Sequence, residues 1–188
     1  AVAMLWCIHA YSRDSHTRLV REQAAAERDP LTGCLNAREF GREAGRVFDG
    51  ARRSGGAAAV FLVQVQAQHA DDNPMQAEAM LLRSVRLARS VARDFDTVGR
   101  VGPDVLAVVM PGVADGEVFR ARLSRLVALG LMVDQHDRHA QAIRFSVAAG
   151  NVQGFRGGSV EELLARLRGL LHDITADPQG KRIRLLES

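Results

Sequence analysis

Arg93-Asp94-Phe95-Asp96-Thr97-Val98-Gly99-Arg100-Val101-Gly102-Pro103-Asp104-Val105-Leu106-Ala107-Val108-Val109-Met110 is the stretch that decides the fold. It holds two β-forming runs, Thr97 to Val101 and Val105 to Met110, around three turn-forming residues, Gly102-Pro103-Asp104. A run, a tight turn and a second run predict a hairpin, and Pro111-Gly112 ends its second strand. Upstream, Met75 to Arg93 predicts a helix: Leu81, Val85, Ala88 and Ala92 share a face, with Arg83, Arg86, Arg89 and Arg93 on an adjoining sector. Before the polar loop Gln68 to Pro74 lies Ala58 to Gln66, a strand in which Phe61, Val63 and Val65 alternate with Leu62, Gln64 and Gln66. Asn36 is placed to cap a helix from about Ala37 to Arg53, with Phe40, Ala44 and Val47 on one face and Ser54-Gly55-Gly56 at its end. Downstream, Asp115 to Ala128 predicts a helix and Ile143 to Gly150 a strand. Ser159 to Ile174 predicts a helix opened by the capping box Ser159-x-x-Glu162, and Arg182 to Leu186 a last strand. Strands alternating with helices around one internal hairpin predict an α/β fold, a central mixed β-sheet flanked by helices.

The chain has 188 residues, 47% of them hydrophobic and 25% charged, which suits one domain plus a short extension and excludes disordered and collagen-like chains. No apolar run approaches the ~20 residues that cross a bilayer as a helix. Cys7 and Cys34 make neither a disulfide framework nor a zinc site, and point to a reducing compartment. The net charge is +3, and Lys181 is the only lysine. So much arginine reflects a GC-rich genome more readily than phosphate recognition, although guanidinium does make two-point contacts with phosphate. The arginines are scattered, and Trp6 and Tyr11 fall outside the expected fold, so no nucleic-acid partner is expected.

Asp29-Pro30 divides the chain into 1–28 and 29–188. Ser12 to Arg28 is charged and rich in helix formers, and predicts a connecting helix, an N-terminal helical linker. Ala1 to Tyr11 is apolar and lacks the charged start of a signal peptide. It reads as the end of a transmembrane helix or as a short packing helix, the first being preferred. On that preference the domain lies on the cytoplasmic side of the inner membrane and meets the membrane only through a preceding segment.

These residues carry a family pattern. Asp29-Pro30-Leu31-Thr32-Gly33-Cys34-Leu35-Asn36, with Arg38 and Phe40, resembles the opening of the GGDEF (diguanylate cyclase) domain. Arg93 to Leu106 resembles that family's RxxD–xxxRxGGDEF segment, and Phe145 to Gly150 is similar to its SxG strand. The resemblance runs from Asp29 to the C-terminus. It implies a nucleotidyl-cyclase-like fold and a bacterial second-messenger signalling role. Intact members join two GTP molecules into cyclic di-GMP across a dimer, using divalent metal held largely by carboxylates.

Against that pattern the chain has lost its acids. GGDEF reads Gly102-Pro103-Asp104-Val105-Leu106: Pro103 removes an N–H and fixes φ where backbone meets nucleotide, and Val105 replaces the glutamate. The family's Asp-x-Asp, whose first member binds metal, is Gln64-x-Gln66, and an amide is a poor ligand for Mg²⁺. The family's Lys-x-x-Asn-Asp aligns with His69-Ala70-Asp71-Asp72-Asn73, so Asp72 replaces the guanine-reading Asn; Glu78 stands near a second guanine-binding carboxylate, and Thr175 near the family's phosphate-binding lysine. Losses at four places imply no catalysis and no metal.

Arg93-x-x-Asp96 keeps the position and spacing of the family's inhibitory site, which the resemblance implies binds cyclic di-GMP. Arginine offers paired donors to a phosphate or a guanine Hoogsteen edge, and aspartate accepts from the guanine N1–H and N2–H₂ edge. A second arginine from the next helix is expected to be Arg125, with Arg122 as the alternative. The plain structural reading of Arg93 and Asp96 is an i, i+3 surface ion pair worth about 0–1 kcal/mol. His136-x-x-His139 reads as a solvated loop, Cys34 as packing, and Ser146 lacks the His–Asp context of a nucleophile. The sequence therefore predicts a catalytically inactive cyclic di-GMP receptor, a homodimer that relays a signal to a membrane-bound portion or a partner protein. The alternative is a ligand-independent dimerisation or protein-interaction domain of a membrane-anchored signalling protein, and the third reading a residual GTP-using enzyme.

Overall fold

A computed structural model describes residues 27–66, 74–113, 116–132, 143–152, 155, 158–177 and 181–186. The expected apolar segment Ala1 to Tyr11, most of the connecting helix Ser12 to Arg28, the His69 to Asn73 stretch and the His136/His139 pair lie outside the described residues.

Among the described residues nine elements follow in order: α1 (Ala37–Ser54), β1 (Ala58–Gln66), α2 (Pro74–Val91), β2 (Thr97–Arg100), β3 (Val105–Pro111), α3 (Gly116–Leu131), β4 (Arg144–Asn151), α4 (Val160–Ala176) and β5 (Ile183–Leu185). They build one five-stranded sheet of order β2-β3-β1-β4-β5. β1 is central and antiparallel to both neighbours, with Gln64 opposite Val105 on one side and Ser146 on the other. β5 joins parallel to β4, which makes the sheet mixed. The flanked mixed sheet expected from the sequence is present.

The alternation of β1 sends its side chains to two cores. Phe61, Val63 and Val65 pack with Leu81, Val85 and Ala88 of α2 and Phe119, Leu123 and Leu126 of α3. Val60 and Leu62 face Phe40, Ala44 and Phe48 of α1 and Leu163 and Leu167 of α4. A strand two-deep in apolar neighbours explains the nearly unbroken apolar run of its first six residues.

The helix ends follow local chemistry. The Asn36 side chain accepts from Glu39 N, and Gly55 closes α1 at φ 64°, a left-handed conformation glycine adopts without a Cβ penalty. Ser159 caps α4 by accepting from Glu162 N, while Glu162 Oε2 accepts from Gly158 N at 3.1 Å. The return bond of the expected capping box thus falls one residue early. Helix α3 runs to Leu131, three residues beyond the expected end at Ala128.

The 29–36 loop is stitched onto the outer strand β2. Leu35 N donates to Val98 O at 3.2 Å and Arg100 N to Leu35 O at 2.8 Å. Gly99 is where this packing is closest, since a Cβ there would sit 2.6 Å from the Phe40 ring.

Candidate functional site

The β2–β3 turn is held from three directions. Val101 N donates to Val105 O, and Val65 N donates to Asp104 O, both at 2.9 Å. Arg100 grips the turn from beneath, Nε donating to Gly102 O at 3.2 Å and Nη2 to Pro103 O at 2.8 Å. Its Nη1 donates to Asp29 Oδ2 at 3.0 Å, and Asp29 Oδ1 accepts from Thr32 N at 2.8 Å and Thr32 Oγ1 at 2.6 Å. Burial pushes the Asp29 carboxyl up, but the Thr32 bonds and the Arg100 charge outweigh it and hold the carboxyl below its ordinary range. The Asp29–Thr32 motif therefore anchors the turn through Arg100.

At the end of β1, Gln64 Nε2 donates to Asp104 Oδ2 at 2.9 Å. Only the N–H side of an amide is attractive toward a carboxylate, which fixes its orientation. Gln66 is engaged as well, its Oε1 accepting from Arg182 Nη1 at 3.0 Å. A cavity of about 380 Å³ opens beside them, lined by Leu31, Gln66, Glu78, Arg100, Pro103 and Asp104 among others. Where the resemblance implies a divalent cation, the chain offers Asp104 with an amide N–H already aimed at it. Among the described residues no three His, Cys, Asp or Glu side chains group as metal ligands. This donor set does not suit Mg²⁺, which demands several hard oxygens in near-octahedral array.

The second place is the turn between α2 and β2. Asp96 N donates to Arg93 O at 3.0 Å, and Arg93 N donates to Asp96 Oδ2 at 2.7 Å. The same Oδ2 accepts from Arg122 Nη1 at 3.2 Å, with the Asp96 side chain 1% exposed and that of Arg122 14%. The expected i, i+3 ion pair is thus not the arrangement found: Asp96 meets the backbone of Arg93 and the guanidinium of Arg122. Arg122, not Arg125, is the α3 arginine that reaches the pair, because Phe119, Leu123 and Leu126 face the core and Arg122 borders them; Arg125 is exposed. The Arg93 side chain is exposed and lines a cavity of about 440 Å³ with Arg28, Glu43, Arg89, Asp94 and Asp96 among others.

The structure therefore brings Gln64 to Asp104 and Asp96 to Arg122, and leaves Arg93 at a cavity. Arg28 and Arg89 were missed in the sequence. Arg89 stood on a sector of α2 that reads as a solvated face, and no local pattern places Arg28 beside it.

No protein-family model matches the chain, and no curated protein matches it in sequence. Solved structures do match. The coiled coil and GGDEF domain of DgcB from Caulobacter crescentus, in complex with c-di-GMP, superposes with TM-score 0.80 at 18% identity, over 98% of each chain. The diguanylate cyclase SiaD of Pseudomonas aeruginosa, in complex with its activator SiaC, gives 0.73 at 18% identity, covering 97% of this chain and 73% of that one. The FimX GGDEF domain from Pseudomonas aeruginosa gives 0.72 at 15% identity, over 85% of this chain and 99% of that one.

Proposed function

We propose that this chain, which has the fold of a GGDEF domain, is a non-catalytic signalling module that receives cyclic di-GMP at the cavity bordered by Arg93. The observation that carries the loss of catalysis is the Gln64–Asp104 bond at 2.9 Å, an amide donor occupying the acid that a metal would need. Cyclisation of a nucleoside triphosphate requires the α-phosphate charge to be neutralised, and removal of that electrostatic help costs several kcal/mol of transition-state stabilisation. Binding needs only cations and space, which Arg93 and its cavity retain. The resemblance to a DgcB structure in complex with c-di-GMP supports the choice of ligand. On this reading the domain holds no divalent metal, works as a homodimer on the cytoplasmic side of the inner membrane, and passes its signal through the segment preceding Asp29 to a membrane-bound portion or a partner protein.

Calorimetric titration of cyclic di-GMP into the protein and into Arg93→Ala tests it. Heat from the unsubstituted chain, lost in the variant, supports the receptor reading; no heat at high micromolar ligand removes it.

A second reading is favoured by one specific observation. The Asp96 carboxylate is sheltered and satisfied by Arg93 N and Arg122, so the motif has a structural task without any ligand. A ligand-independent dimerisation or interaction domain would keep its output in Arg93→Ala and show no ligand-induced rise in melting temperature, whereas a ligand specific for the native state must produce one.

A further inference from the structure

We infer that the open edge of the sheet, strand β5, takes an added strand from a partner protein, an extended segment in which acidic residues are flanked by apolar ones. The inference stands apart from the receptor reading, because the groove along β5 shares no lining residue with the cavity beside Arg93.

The two edges of the sheet differ. β2 is covered by its own chain: Leu35 bridges Gly99 in parallel and bonds through its main chain to Val98 and Arg100. β5 ends the sheet on the other side, and among the described residues no strand pairs with its outer edge. Val147 N donates to Arg182 O and Leu186 N to Ala149 O, both at 2.7 Å. Successive residues of a strand alternate, so Arg182, Arg184 and Leu186 turn main-chain groups toward β4, and Ile183 and Leu185 turn theirs outward. An edge with main-chain donors and acceptors directed outward is a template for another strand.

A groove of about 650 Å³ follows this edge, with Arg120 and Ser124 of α3 on one side and Leu170 of α4 on the other. Its floor is apolar on both faces of β5. Ile183 and Leu185 pack against the core that holds Phe61, and Leu170 and Leu186 against the core that holds Leu62. Its charges have one sign: Arg120, Lys181 and Arg184 line it, and among the described residues that line it there is no acid. Arg184 does have a neighbour outside the lining, Asp177 at 3.6 Å, with the two side chains 36% and 53% exposed. So open an ion pair contributes little, and an incoming carboxylate replaces it at small cost. A bare phosphate would leave the apolar floor uncovered. A second copy of β5 would set one cationic edge against another. An extended acidic peptide satisfies the floor, the charge and the main chain together.

The probe is a capped peptide, valine-valine-glutamate-glutamate-valine-valine, which presents an acid between apolar residues on each face of a strand. Calorimetry compares it with a version carrying lysine for glutamate and with an analogue whose backbone nitrogens are methylated. The proteins are the unsubstituted chain and the double variant Arg120→Glu/Lys181→Glu. Both residues are exposed, so the fold tolerates the change. The glutamate peptide is expected to bind, and the lysine peptide and methylated analogue to bind at least about tenfold more weakly. In the double variant the order of the glutamate and lysine peptides should invert, which only a folded protein can show. No heat from the glutamate peptide at millimolar concentration would overturn the inference. Equal binding of the two peptides, full affinity of the methylated analogue, or an unchanged preference in the double variant would do the same. So would a dimer in sedimentation that the double variant dissociates, because a second copy would then fill the groove.

Discussion

Gln64 Nε2 lies 2.9 Å from Asp104 Oδ2 and donates to it across the gap between the end of β1 and the β2–β3 turn. The contact ties the central strand to the hairpin turn. Glutamine converts a position that would repel Asp104 in the absence of metal into one that attracts it. The turn is thereby tied to the central strand by a hydrogen bond that needs no cation.

Replacing Gln64 by aspartate should reverse this. Two carboxylates would then face one another, so Gln64→Asp should melt below the unsubstituted chain at neutral pH. Mg²⁺ should raise the melting temperature of Gln64→Asp and leave the unsubstituted chain unmoved, because only the variant offers paired acids. Thermal shift with and without Mg²⁺ checks both halves; a rise in the unsubstituted chain would contradict the fit argued here.

The Asp96–Arg122 pair should behave as a buried ion pair. Removing either partner strands the other charge, so Asp96→Ala and Arg122→Ala should each cost about 3 kcal/mol or more. The double variant should lose less than the two losses added. Urea denaturation of the four proteins gives the coupling, and an additive result would place the pair among weak surface contacts.

Asp29 should make stability depend on acid. Its folded carboxyl titrates below its ordinary 3.8, so its contribution is fully present above that value and is lost as pH falls through the lowered folded value. The stability gap between the unsubstituted chain and Asp29→Asn should be flat near neutrality and shrink only in acid below the ordinary value. A gap that changes between neutral and alkaline pH would contradict the assignment.

Gly99→Ala should destabilise. A Cβ there would fall 2.6 Å from the Phe40 ring and 2.7 Å from Phe40 Cβ, and Phe40 is fully buried with nowhere to retreat. Overpacking of this kind costs about 1–3 kcal/mol. A midpoint equal to that of the unsubstituted chain would show that the 29–36 loop and β2 are less tightly joined than described.

Much of the fold was legible because its elements are locally consistent. Ala58 to Gln66 has the limits its sequence predicts, since valines and Phe61 favour a strand and Gly55-Gly56 and a polar loop bound it. Asn36 and Ser159 announced their helices because a capping side chain acts within three residues. The right-hand limit of α3 was not legible: Leu129, Gly130 and Leu131 give no stop until the chain leaves the helix, and glycine there reads as an end rather than as an interior residue. The candidate site was half legible. That Gln64, Gln66 and Val105 stand where the family pattern carries acids is a comparison made along the chain, but that Gln64 bonds Asp104 joins residues forty apart and needs the strand register. The sequence favours Arg125 over Arg122, and only the packing of Phe119, Leu123 and Leu126, which fixes the rotation of α3, brings Arg122 to Asp96. Arg28 and Arg89 belong to a cavity assembled from three separate segments, which no spacing encodes.

On the proposed function this scaffold, which shares the fold of GGDEF domains, does not make cyclic di-GMP. Incubation of the purified protein with GTP and Mg²⁺ or Mn²⁺, followed by chromatographic detection of cyclic di-GMP, is the most direct test. The account predicts unreacted GTP and no product; cyclic di-GMP accumulating in proportion to protein, and persisting through a second purification, would contradict it.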